Sequence, residues 1–326
     1  MSTPPRPARS AARPALHPRN RHQGHYDVPR LVAGHPALAA FLVTTPRGDT
    51  SIDFGHPSAV RELNRALLRC DYGIAHWDLP DGALCPPVPG RVDYLHGLAD
   101  LLAEDGGPVP RGATVRVLDI GVGASCIYPL LGHAEYGWRF TGSDIDATSL
   151  QVAGAIVASN RLGKVIELRL QPQRRHLLDG VMREDDRFDL TLCNPPFHAS
   201  ARDAAAANQR KQRQLGTSAG QRAGRPLAAP LNFGGHAHEL WCPGGEAEFL
   251  RRLVRESVGV RERVLWFTSL VARAEHLSGL RRQLRQAGAV DVREVAMAQG
   301  QKQSRFVAWT FFDANGRAHW RATRHR

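Results

Sequence analysis

The sequence predicts an α/β protein with a doubly wound sheet of seven strands, the last of them antiparallel, preceded by an N-terminal extension. Two observations carry this expectation. From residue 115 onward, short apolar strands alternate with helical stretches, the pattern of a parallel sheet covered on both faces. The last two strands are joined by a short connection, too short for the crossover that a parallel pair needs.

Taken in order, residues 1–27 are rich in Pro, Arg and Ala and set Arg6, Arg9, Arg13, Arg19 and Arg21 against one acid, Asp27. They have little to bury, which predicts a disordered basic tail. Residues 28–110 form a helical extension ahead of the sheet domain. Its helices span Ser58–Leu68, with apolar Val60, Leu63, Leu67 and Leu68, and Tyr94–Leu102. The run between Asp81 and Gly90 holds Pro86, Pro87 and Pro89, whose missing N–H groups predict a non-helical turn region.

The sheet domain spans residues 111–313. Strands are expected at Val115–Ile120, Trp138–Ser143, Val165–Leu170, Phe188–Cys193, Val264–Thr268, Val290–Val295 and Phe306–Phe312. A helix starts within Ala124–Leu131, and others cover Ala147–Arg161, Glu246–Val258 and Leu277–Gln286. In the third of these, Phe249, Leu250, Leu253, Val254 and Val258 share one face, leaving Arg251, Arg252 and Arg255 to solvent. Residues 314–326 are expected to be a basic C-terminal tail.

At 326 residues, 42% hydrophobic and 23% charged, the chain has the balance of a soluble globular protein. No stretch approaches the ~20 apolar residues of a membrane span, and no secretory signal opens it, so a cytoplasmic location is expected. Cys70, Cys85, Cys126, Cys193 and Cys242 are scattered without a C-x-x-C pair, which points to reduced thiols. A net charge of +12 favours a polyanionic partner over small neutral metabolites, although a general drift toward arginine also raises it.

Three strand ends carry the chemistry. Val117-Leu118-Asp119-Ile120-Gly121-Val122-Gly123 puts an acid and two glycines where the first strand turns into its helix, so the backbone can pass close to a ligand. Cys126 takes the third glycine position of G-x-G-x-x-G, which weakens a dinucleotide reading. The second strand ends Gly142-Ser143-Asp144-Ile145-Asp146, and a carboxylate there can accept both hydroxyls of a ribose. Asp144 is favoured as the first acid past the strand. The competing role for either aspartate is a cap on the helix beginning near Ala147.

The fourth strand ends Cys193-Asn194-Pro195-Pro196-Phe197. The lone pair of an adenine amine is delocalised into its ring, so the nitrogen becomes nucleophilic only when acceptors hold its hydrogens out of plane. Asn194 offers a side-chain carbonyl and Pro195 a backbone carbonyl, and consecutive prolines stiffen the turn. Phe197 can stack on a base that has left its helix or loop, with Pro196 completing the catalytic tetrapeptide. This chemistry needs no metal.

These motifs, with Gly300-Gln301-Lys302-Gln303-Ser304-Arg305-Phe306, Leu231-Asn232-Phe233-Gly234-Gly235 and Glu239-Leu240-Trp241-Cys242, closely resemble the RlmF family of bacterial 23S ribosomal RNA adenine N6-methyltransferases. The likeness runs from about Val28 to Phe312 and implies that the extension at 28–110 binds RNA and covers a cofactor. It implies a Rossmann-like class I methyltransferase fold, S-adenosyl-L-methionine as cofactor, and 23S ribosomal RNA or a large-subunit assembly intermediate as partner. Cofactor contacts then fall on Arg91, Asp119, Gly121, Gly123, Asp144 and Asn194, with His176 aligned loosely and differing in residue type.

Arg202, Arg210, Lys211 and Arg213, in a loop whose only acid is Asp203, are expected to clamp RNA, as are Lys302 and Arg305 between the last two strands. His236, His238 and Cys242 match no common zinc spacing. Five alternatives remain at this point. Three keep the Asn-Pro-Pro-aromatic chemistry, on an adenine of another structured RNA, on DNA adenine or on protein glutamine. The others are a nicotinamide oxidoreductase and a nonenzymatic RNA-binding module.

Overall fold

A computed structural model of the chain describes residues 16–46, 48–103, 107–196, 242–299 and 302–324. The extension comprises α1 (Val28–Gly34), a 3-10 turn (Pro36–Phe41), the hairpin β1 (Leu42–Thr44) and β2 (Thr50–Ile52), α2 (Pro57–Tyr72) and α3 (Val88–Ala103). The sheet domain follows as β3 (Arg116–Ile120), α4 (Ile127–Tyr136), β4 (Arg139–Asp144), α5 (Ala147–Ser159), β5 (Ile166–Leu170) and β6 (Phe188–Cys193). It continues through α6 (Gly245–Gly259), β7 (Val264–Leu270), α7 (His276–Gln286), β8 (Asp291–Gln299), β9 (Lys302–Thr310) and α8 (Ala314–Thr323).

The seven strands lie in the order β5-β4-β3-β6-β7-β9-β8. Strands β3 to β7 pair in parallel, and β9 slots antiparallel between β7 and β8. The expected seven-stranded sheet with an antiparallel last strand is therefore what forms. Strand order reverses between β3 and β6, and in such sheets ligands bind at the carboxyl ends flanking that point.

Alternation along β9 shows how the sheet serves two cores: Phe306 and Ala308 pack with the helices of the extension, whereas Val307 and Trp309 pack with α6 and α7. Among the described residues no helix is long and apolar enough to cross a membrane.

Three expectations change. Helix α3 starts at Val88, inside the proline-rich run, because Pro89 in the first turn gives up an N–H that no helix would pair there. This places Arg91 on a helix rather than in a loop.

The segment from residue 16 to 27 is ordered rather than disordered. Its polar groups find an acidic face on α3: the His17 N–H donates to Asp93 at 2.6 Å and Arg19 donates to Asp100 at 2.6 Å. Asn20 and His22 are buried beside them, and burial pushes the His22 imidazole down to about 4. Residues 1–15 lie outside the described residues.

The C-terminal tail is helix α8, capped by Asp313. Trp320 Nε1 and Arg324 Nε both donate to Asp189 Oδ1, at 2.9 and 2.7 Å, and Arg317 lies over the Trp266 ring. Basic composition alone hid this, because the carboxylate it meets is far away in sequence.

Candidate active site

The pocket forms where β3, β4 and β6 end, and the extension closes it with Leu84, Pro86 and Arg91. At the end of β3 the backbone enters the left-handed region at Gly121 (φ 78°) and Gly123 (φ 63°), a conformation that disfavours any residue with a Cβ. The Gly121 and Val122 N–H groups donate to Ser143 O at 2.8 and 2.9 Å, latching the turn to β4. Trp77, in the linker between α2 and α3, holds the next part of the turn by donating to Ser125 O at 2.9 Å.

The two aspartates at the end of β4 divide their roles. Asp146 caps α5, accepting from Ser149 N at 2.8 Å, while Asp144 lines the pocket. Asp144 Oδ2 accepts from Gly123 N at 2.9 Å and its Oδ1 from Asp146 N at 3.0 Å.

Asp119 lies behind the wall rather than on it, 1% exposed, and neither of its carboxyl oxygens has a hydrogen-bond partner among the described residues. Burial, reinforced by the neighbouring Asp144 charge and opposed by Arg91, holds its carboxyl well above the usual carboxylate range.

Arg91 reaches in from α3, donating to the Tyr128 hydroxyl at 2.8 Å with its guanidinium over the same ring. Its buried Nε has no partner among the described residues. Burial pushes the Tyr128 phenol up to about 12, so it stays neutral beside the cation.

Asn194 follows β6 directly, half-buried, with Oδ1 buried and without a partner among the described residues; Pro195 is buried and Pro196 lines the pocket. His176 lines the far side, its Nδ1 3.5 Å from Asp179 and 3.7 Å from Glu256. Glu256 in turn accepts from the Leu177 and Leu178 N–H groups at 2.8 Å, fixing the loop after β5.

The structure thus gathers Arg91, Gly121, Gly123, Asp144, His176, Asn194 and Pro196 around one cavity, with Asp119 beneath it. Phe197, Arg202, Arg210, Lys211 and Arg213 lie outside the described residues. Lys302 begins β9, and Arg305 on the same strand is half-buried and outside the pocket lining.

Sequence reasoning missed Tyr128 and Gln171. Tyr128 sat within the matched string around the glycine turn, next to the residues already chosen. Gln171 extends the β4–β5 pairing by donating from its N–H to Asp144 O at 2.8 Å, and only its place just after a strand end could have marked it.

The fold and pocket define a class I methyltransferase architecture, with the ligand cleft at the carboxyl ends of the strands and a polar turn at the fourth. The model of an RNA methyltransferase family matches residues 10–313, and the chain belongs to that family.

It is 59% identical over 313 residues to the ribosomal RNA large subunit methyltransferase F of Pseudomonas putida, covering 96% of this chain and 98% of that protein. With the protein of the same name from Stutzerimonas stutzeri it shares 58% over 324 residues, 99% of this chain and 97% of the relative.

Among solved structures, the catalytic domain of hMettl16 in complex with a MAT2A 3'UTR hairpin superposes with a TM-score of 0.76 at 31% identity, over 92% of this chain and 96% of that one. The N-terminal domain of human METTL16 in complex with SAH gives 0.71 at 29%, over 91% and 99%. The family resemblance read from the motifs is borne out.

Proposed function

We propose that the chain transfers a methyl group from S-adenosyl-L-methionine to N6 of an adenine in 23S ribosomal RNA, acting in the cytoplasm on the RNA or on an assembling large subunit. The observation that carries this reading is Asn194, whose buried Oδ1, without a partner among the described residues, shares one pocket with Arg91 and Asp144.

The pocket's unsatisfied atoms fit the cofactor. Buried polar groups are ordinarily paired, so Arg91 Nε and Asn194 Oδ1 in the pocket and both Asp119 oxygens behind its wall, unpartnered among the described residues, point to a ligand with matching chemistry. Arg91 suits a carboxylate, Asp144 can accept from ribose hydroxyls, and the Asp119 carboxyl beneath them would be complemented by positive charge in the pocket. When bound, S-adenosyl-L-methionine supplies an electrophilic methyl on a positively charged sulfur.

The chain's own residues do the rest. Asn194 Oδ1 and the Pro195 carbonyl accept the two amine hydrogens, which localises the nitrogen lone pair and aims it into the pocket. Phe197, by its place after the turn, is assigned to stack on the extruded base. Holding the reacting atoms ~3–3.5 Å apart and aligned removes several kcal/mol from the barrier, so no strong base is required. The proton lost from the methylated amine leaves to these acceptors or to water.

The proposal is supported by the names of the relatives, which specify large-subunit ribosomal RNA. The test is transfer of tritiated methyl to naked large-subunit RNA, duplex DNA and a release factor in parallel. Label in RNA, located by mass spectrometry as N6-methyladenosine, is expected; label only in DNA or protein refutes the reading.

A further inference from the structure

The strand that ends in Asn194 is held in an unusual way. Among the described residues, main-chain pairing of β6 with β7 runs through Phe188↔Val264 and Leu190↔Trp266 and stops there, although β6 continues to Cys193 and β7 to Leu270. Side chains take over beyond that point. The Thr268 N–H donates to Thr191 Oγ1 at 3.2 Å, and the Thr268 hydroxyl donates to the Thr191 carbonyl at 2.7 Å.

A third group completes the arrangement. The Tyr94 hydroxyl lies 2.6 Å from Thr268 Oγ1. A hydroxyl carries one proton, and that of Thr268 is committed to a carbonyl, so Tyr94 is the donor in this bond. The backbone N–H of Cys193, the residue before Asn194, lies beside the same phenol oxygen.

Tyr94, Thr191 and Thr268 are all 0% exposed, so water does not compete for these bonds. The Tyr94 ring is wedged between Phe306, 5.1 Å away, and Tyr128, 5.7 Å away and edge-on. Tyr94 also stands one helical turn after Arg91 on α3. One rigid helix therefore carries both a pocket cation and the donor that reaches the catalytic strand.

We propose that Tyr94 is a positioning residue for methyl transfer: through Thr268 and Thr191, its hydroxyl sets where the Asn194 turn stands relative to the donor pocket. The inference rests on the reading of Asn194 as acceptor of the adenine amine. Transfer is steeply sensitive to alignment, so a small shift of the turn costs rate without touching the groups that bind cofactor or RNA.

Tyr94→Phe keeps the ring and removes only the hydroxyl. Single-turnover transfer to large-subunit RNA is expected to fall about tenfold, with the dissociation constants of cofactor and RNA unchanged within about twofold. Thr268→Ser, which retains the hydroxyl, is expected to transfer at close to the parent rate, whereas Thr268→Val follows Tyr94→Phe. A parent rate in Tyr94→Phe, or a loss matched by loss of cofactor affinity, overturns the proposal.

A second readout is independent of which acceptor the protein methylates. The side-chain amide signals of Asn194 in the S-adenosylhomocysteine complex, followed by NMR, are expected to move in Tyr94→Phe and to stay in place in Thr268→Ser. Unmoved signals in Tyr94→Phe overturn the positioning role. Failure of the parent protein to methylate RNA would overturn the proposed function instead.

Discussion

The main-chain N–H of Gly123 donates to the Asp144 carboxylate across 2.9 Å, tying together the two strand ends that frame the pocket. One carboxylate therefore serves as an internal brace and as the pocket's candidate ribose acceptor. Asp144→Ala should weaken S-adenosylmethionine binding by more than about tenfold in calorimetry, since it removes charge-assisted hydrogen bonds and loosens the glycine turn. Asp144→Asn, which keeps an acceptor for Gly123, should lose less.

Asp119 should show a conflict between stability and ligand binding. A carboxyl whose folded pKa is raised takes up a proton on folding, so the stability it permits is full at low pH and declines as pH rises above the ordinary carboxylate range toward the raised value. At neutral pH, Asp119→Asn should raise the melting temperature of the ligand-free protein by roughly 2–4 °C while weakening cofactor binding. A melting temperature that falls, or cofactor binding that is unchanged, would count against this role.

Asn194→Ala should remove methyl transfer, by at least on the order of a hundredfold, while leaving most RNA affinity in place. The measurement is tritium transfer alongside filter binding to the same RNA. A variant that turns over normally would show that another group holds the amine.

Charge removal at Lys211 and Arg213 should flatten the dependence of RNA affinity on salt by roughly 0.7–0.9 in the log–log slope per cation lost. Titrations at several salt concentrations give the slope directly. An unchanged slope would move the RNA contact elsewhere.

Arg324→Met should destabilise the fold by about 2–4 kcal/mol in urea unfolding, because it leaves Asp189 buried with its ion-pair partner gone. Trp320 and the Arg116 N–H still donate to that carboxylate, which keeps the loss toward the lower end.

The sheet and the pocket floor are legible in the sequence because they depend on local order. Apolar runs mark the strands, and the residues that close each strand, Gly121, Asp144 and Asn194, necessarily meet at one edge of a parallel sheet. What escapes is whatever depends on partners distant along the chain. Arg19 and Arg324 look like solvated tail charges until Asp100 and Asp189 are brought to them by the fold. Gln171 carries no local pattern that distinguishes it from an ordinary loop residue. Tyr94 is indistinguishable from any core aromatic, since its hydroxyl meets Thr268 only across 174 positions of chain.

The place of β9, between β7 and β8, governs the order in which the molecule can be finished. During synthesis β8 emerges earlier yet has no neighbour on the sheet until β9 arrives and pairs with both sides. Strands β8 and β9 consequently join as a hairpin, Gln299 opposite Lys302, and that hairpin docks on β7 only through its second strand. A chain halted before β9 holds the residues of the cleft without the strand that covers the outer edge of β7.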